Sequence, residues 1–141
     1  MNNYFTIKEL VYSATAEKLK INNKPTKEIE TNLKELIDFL NPLREAWGSP
    51  IIVSSGYRCP ELNKAIGGVV NSAHQYGFAV DLIPANGKME AFKKFVVNYL
   101  IDNNCFWDQL LREKKASTEW VHLGLYSNDG QQRKQIKDIN V

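Results

Sequence analysis

The chain has 141 residues, enough for one domain with a single sizeable core. Hydrophobic residues at 43% and charged residues at 24% exclude a disordered chain, and no apolar run approaches the roughly 18–20 residues that span a bilayer. A net charge of +2, with Lys and Arg spread along the chain, argues against a nucleic-acid partner.

Residues 1–10 carry Lys8 and Glu9 where a signal peptide needs a continuous apolar region, so synthesis in the cytoplasm without a secretion signal is expected. Thr6 is placed to cap a short helix through Ile7, Leu10 and Val11. The Asn22-Asn23-Lys24-Pro25 stretch breaks the chain, and Thr26 can cap the next helix. That helix is the clearest of all: Ile29, Leu33, Leu36, Ile37, Leu40, Leu43 and Trp47 recur at spacings of three and four. Pro42 predicts a kink in it, and Gly48 with Pro50 predicts its end.

Ile51, Ile52 and Val53 read as a short buried strand, and 59–66 as one or two helical turns begun by Pro60. A second strand follows at 78–83. Met89, Phe92, Phe95, Val96, Tyr99 and Leu100 mark a second long amphipathic helix, and 106–112 and 120–126 are two further strands. The expected fold class is α+β, with helices packed against a small, mainly antiparallel sheet. One domain is expected over 1–141, its core over about 5–126. The polar tail at 127–141 would leave Arg133, Lys134 and Lys137 solvated. Cys59 and Cys105 fit no paired motif and are expected as free thiols.

The chemistry concentrates around the two histidines. His74 lies in Ser72-Ala73-His74-Gln75-Tyr76-Gly77-Phe78-Ala79-Val80-Asp81, and His122 lies in Glu119-Trp120-Val121-His122. Two imidazoles and one carboxylate are a usual catalytic zinc set, leaving a fourth position for water. Asp81 interrupts an otherwise apolar strand, and a buried carboxylate must be paired or bind metal. Strand alternation puts Val121, Leu123 and Leu125 on the core face and Trp120, His122, Gly124 and Tyr126 on the other. Glu119, three residues before His122, would need a bulge or an irregular strand start to share that face. His74 and Asp81 likewise require a turn between them, for which Gly77 is the natural residue.

Together, Ser55-Gly56-Tyr57-Arg58, Leu62-Asn63, Gly67-Gly68, the Ser-x-His-x-x-Gly-x-Ala-x-Asp run at 72–81 and Trp120-Val121-His122 resemble the zinc D-alanyl-D-alanine carboxypeptidase family. That family includes L-alanyl-D-glutamate endopeptidases of bacteriophages, and its fold resembles the hedgehog signalling domain. The resemblance runs over roughly 5–126. Phe5-Thr6-Ile7-Lys8-Glu9-Leu10 and Asp108-Gln109-Leu110 look like a phage or prophage branch.

The resemblance implies Zn2+ held by His74, Asp81 and His122, Glu119 as general base and Arg58 as the clamp on the oxyanion or substrate carbonyl. Glu113 competes for the role of base; Glu119 is preferred because a base three residues from a ligand reaches the metal's water more easily. Tyr57 and Ser72 are expected to contact substrate, with capping of the following turn as the other role for Ser72. The implied activity is hydrolysis of a peptide bond in peptidoglycan stem peptides by a monomer acting at the cell wall, without nucleic-acid or membrane partners. The alternative is a catalytically silent zinc-containing binding or phage structural module of the same fold.

Overall fold

The computed structural model describes residues 2–140; Met1 and Val141, the ends of the expected domain, lie outside the described residues. The elements in chain order are α1 Ile7–Val11, α2 Ala14–Leu19, α3 Lys27–Trp47, β1 Ile51–Ser55 and α4 Pro60–Ala65. A 3₁₀ turn Ala73–Tyr76 precedes β2 Ala79–Pro84, α5 Met89–Asp102, β3 Gln109–Lys115, β4 Thr118–Gly124 and β5 Gln135–Asn140. The fold is α+β, as expected, with one five-stranded sheet in the order β1-β2-β4-β3-β5. Among the described residues, no helix is long and apolar enough to cross a membrane.

The helix starts follow from their caps. Thr6, Ser13 and Thr26 each accept a hydrogen bond from the backbone N–H three residues on, at 3.1–3.2 Å, satisfying donors that a helix start otherwise leaves orphaned. α3 continues through Pro42 and stops at Gly48, which takes the left-handed conformation (φ 80°) that ends helices. Its stripe buries Leu33, Leu36, Leu40 and Leu43 completely, each worth about 1.5–3 kcal/mol of transfer free energy. Phe92, Val96 and Leu100 of α5 join them, against Val80, Leu82, Leu110, Val121 and Leu123 of the sheet. Helices therefore cover one face of the sheet.

The first four strands pair antiparallel, whereas β5 runs parallel beside β3. This corrects the expected tail. Residues 135–140 are an edge strand, and the approach to it is tied down by Arg133, whose guanidinium donates to both carboxylate oxygens of buried Asp108 at 2.7 and 2.8 Å. Lys134 lies over the Phe106 ring, 4.6 Å from its centroid, so of the three basic residues two have structural partners. Cys59 and Cys105 are both free.

Candidate active site

The other face of the sheet carries a polar row. Ser55 pairs with Asp81, Asp81 with His122, and His122 with Leu111, so four residues line up across β1, β2, β4 and β3. Directly paired residues point to the same side of a sheet. A register shift between Val53 and Ser55 brings β1 to this alignment, and Ser54 Oγ there donates to the Asp81 carbonyl at 3.3 Å.

His74 reaches the row from outside the sheet. Ser72 Oγ accepts from the His74 backbone N–H at 3.2 Å, which starts the 3₁₀ turn, and Gly77 ends it at φ 74°. A Cβ at Gly77 would stand 3.1–3.2 Å from Ile29 and Leu33, so glycine serves both the left-handed turn and the close approach to α3. The expected turn between His74 and Asp81 is therefore in place.

Three side chains converge. Asp81 Oδ1 lies 3.3 Å from His74 Nε2 and 3.0 Å from His122 Nδ1, and one ligand atom from each of the three residues falls within 4.8 Å of the others. Ligands about 2.0–2.1 Å from a tetrahedral zinc stand roughly 3.3–3.4 Å apart, so this spacing fits the ion. His74 Nδ1 donates to the Gly56 carbonyl at 2.7 Å, which fixes the ring and leaves Nε2 as the lone-pair nitrogen. Gly56 itself cannot carry a side chain, because a Cβ would stand 2.1 Å from the Leu10 carbonyl oxygen.

The electrostatics suit a cation. Burial alone would raise the Asp81 carboxyl, but the two imidazoles outweigh it and hold it well below the usual carboxylate range. Burial pushes the His74 imidazole down, towards the unprotonated form that ligates a metal. Asp81 Oδ2, the oxygen turned from the histidines, faces Arg58 Nη2 at 3.4 Å. Arg58 is further held by Ser55 Oγ, at 3.0 Å from Nε, and by Asn63 Oδ1, at 3.3 Å from Nη1.

Not every expected residue arrives. Glu119 faces the helix side of the sheet with Val121 and Leu123, and its Oε1 accepts from Lys93 Nζ of α5 at 2.8 Å. No bulge rescues it: β3 and β4 pair without interruption from Gln109↔Gly124 to Lys115↔Thr118. Glu113, by contrast, pairs with Trp120 and so lies on the His122 face, where its charge acts on Arg58. Tyr57, expected at the substrate, is 5% exposed and belongs to the hydrophobic core. Ser72 is buried as the cap of the 3₁₀ turn, its other expected role.

Asn23 is the residue that sequence reasoning missed. It is buried; its amide donates to the carbonyls of Val11 and Tyr57 at 2.9 and 3.0 Å, and its Oδ1 accepts from Cys59 N–H at 2.7 Å. One side chain thus holds the loop that carries Gly56 and Arg58. Cys59 Sγ accepts from Leu62 N–H at 3.4 Å, standing in for an oxygen cap at the start of α4.

No curated protein matches the chain significantly. Residues 3–123 match the Peptidase M15 family, the zinc-dependent D-alanyl-D-alanine carboxypeptidase family of metallopeptidases. A buried His-Asp-His cluster with zinc spacing is the site such a peptidase requires, and with most of its length matched the chain belongs to this family.

Proposed function

We propose that the chain hydrolyses a peptide bond in bacterial peptidoglycan stem peptides, with zinc held by His74, Asp81 and His122. The observation that carries the proposal is Asp81, one oxygen between two imidazole nitrogens at 3.0 and 3.3 Å and the other facing Arg58. Such a set binds a metal while leaving one coordination position open. Zinc bound there supplies Lewis acidity and lowers the pKa of water towards neutrality.

The chain's own residues supply the rest. Glu113, two residues along β3 from the Leu111–His122 pair and on the same face, accepts the proton of the attacking water and returns it to the leaving amine. Trp120 Nε1 donates to Glu113 Oε2 at 2.7 Å and holds that carboxylate in place. Arg58 presents a fixed positive charge beside Asp81, where the carbonyl oxygen gains negative charge as the amide is attacked. Glu119 is left as a partner of Lys93 and takes no part.

The stem-peptide substrate and a phage or prophage origin rest on the resemblance carried by Phe5-Thr6-Ile7-Lys8-Glu9-Leu10, Ser55-Gly56-Tyr57-Arg58 and Asp108-Gln109-Leu110. Digestion of purified peptidoglycan by zinc-loaded protein, followed by mass spectrometry, tests it. New peptide termini are expected, and the cut bond distinguishes a carboxypeptidase from an endopeptidase. Casein cleaved with peptidoglycan left intact would remove the cell wall as substrate.

A further inference from the structure

Asn63 and Gly68 meet beside Arg58, and neither belongs to the metal cluster. Asn63 lies in α4 and is buried. Its Oδ1 accepts from Arg58 Nη1 at 3.3 Å, and its Nδ2 donates to the Val69 carbonyl at 2.9 Å. A guanidinium has no acceptor and a carbonyl no donor, so only one orientation of the amide satisfies both partners. The loop at 67–71 closes over this side chain. Gly68 N–H donates to the Asn63 carbonyl at 2.8 Å, and a Cβ at Gly68 would stand 2.1 Å from Asn63 Oδ1 and 3.1 Å from Arg58 Nη1. Gly68 lies outside the left-handed region, so its missing side chain makes room for the amide rather than for a turn.

Among the described residues, the Arg58 guanidinium meets one acceptor on each nitrogen: Ser55 Oγ on Nε, Asn63 Oδ1 on Nη1 and Asp81 Oδ2 on Nη2. Ser55 and Asp81 come from β1 and β2, and Asp81 is also in the metal cluster. Asn63 is the contact from outside the sheet. An apolar residue of similar size would fill the same space in α4 but leave Arg58 Nη1 and the Val69 carbonyl unpaired. Three contacts fix the plane of the fork and leave one N–H on each terminal nitrogen for the substrate carbonyl.

We infer that Asn63 is the positioning residue for Arg58, oriented in turn by the loop at 67–71, so that the clamp on the reacting carbonyl is set from outside the metal cluster. The inference rests on the peptidase reading above, in which Arg58 meets the negative charge that develops as the amide is attacked. A misaimed guanidinium loses more in the transition state than in the bound substrate. The loss therefore falls on kcat and leaves KM nearly unchanged.

The test uses zinc-loaded protein and the stem peptide L-alanyl-γ-D-glutamyl-L-lysyl-D-alanyl-D-alanine. Asn63→Ala removes the contact, and Gly68→Ala pushes the amide off Arg58 while keeping the Asn63 side chain. Each should lose about tenfold in kcat at nearly unchanged KM and unchanged zinc content. In an Arg58→Ala background the same two substitutions should cost less than about twofold, because residues that act as one unit are not additive. Losses that multiply in full, or undiminished rates in both single variants, overturn the inference. Should Asn63→Ala fail to fold, Gly68→Ala makes the comparison alone. ¹⁵N spectra of the Arg58 guanidinium give a readout independent of activity, since a fork held at both terminal nitrogens turns slowly about its Cζ–Nε bond and shows separate Nη signals. Separate signals in the natural chain that merge in the variants support the inference. Signals that stay separate in the variants, or are already merged in the natural chain, overturn it. If the natural chain cuts no stem peptide, the peptidase reading fails and these signals alone decide.

Discussion

Trp120 Nε1 donates a 2.7 Å hydrogen bond to Glu113 Oε2 across the β3–β4 pair, on the face that carries His122. A hydrogen bond to an ionised group is worth about 1.5–3 kcal/mol, enough to hold one carboxylate rotamer against its neighbours. Trp120→Phe keeps the ring and removes the donor. It should lower kcat about tenfold, as expected when a proton acceptor is no longer held in hydrogen-bond reach of its proton. Zinc content by metal analysis should not change, because the histidines and Asp81 are untouched.

The two glutamates should separate cleanly. Glu113→Gln should lose on the order of 10²- to 10⁴-fold in kcat while keeping zinc and fold, since an amide cannot accept the proton. Glu119→Gln should hydrolyse the same peptide nearly as well as the natural chain, because its partner is Lys93 on the helix side of the sheet. Steady-state rates for both variants on one stem peptide check this. Loss of activity in Glu119→Gln alone would return the base to that residue.

Asp108 and Arg133 should govern acid stability. Burial would raise the Asp108 carboxyl, but the hydrogen bonds and charge of Arg133 outweigh it and hold it below its ordinary value. A carboxyl depressed in the folded state stabilises the protein above its unfolded pKa of about 3.9, and that stability is lost as pH falls through the folded value. Asp108→Asn should therefore flatten the loss of stability below about pH 4. Arg133 is 41% exposed, so solvent screens the pair and the cost at neutral pH should be about 1.5 kcal/mol, at the lower end for such bonds. Urea denaturation of both proteins between neutral and acid pH checks the sign and the size.

Zinc removal should destabilise the fold. A ligand at a thousand times its Kd contributes about 4 kcal/mol to the state that binds it, so a chelator should lower the melting temperature by several degrees. His74→Ala should melt at the same temperature with and without chelator. Calorimetry on the four samples makes the comparison.

The parts of the fold that bury a periodic stripe were legible from sequence, because Leu33, Leu36, Leu40 and Leu43 repeat at helical spacing. β5 was not: Ile136 and Ile139 are three apart and fall on opposite faces, so an edge strand made of Gln135–Asn140 shows no alternation. His74, Asp81 and His122 were identifiable as chemically costly residues, and the structure brings them together. The two candidate bases fall on opposite faces of the sheet for a geometric reason. Proximity to His122 in sequence favoured Glu119, but three residues along a regular strand is the wrong parity, and the residue on the right face comes from the neighbouring strand. Asn23 was hidden because its three partners lie 12, 34 and 36 residues away, beyond any local pattern.

Zinc K-edge X-ray absorption on the zinc-loaded protein tests most directly whether these three side chains hold the metal. The expected spectrum has nitrogen and oxygen neighbours only, at about 2.0–2.1 Å, with close to one zinc per chain that Asp81→Ala loses. A sulfur shell at about 2.3 Å would point to Cys59 or Cys105 instead, and full zinc occupancy in Asp81→Ala would contradict the assignment.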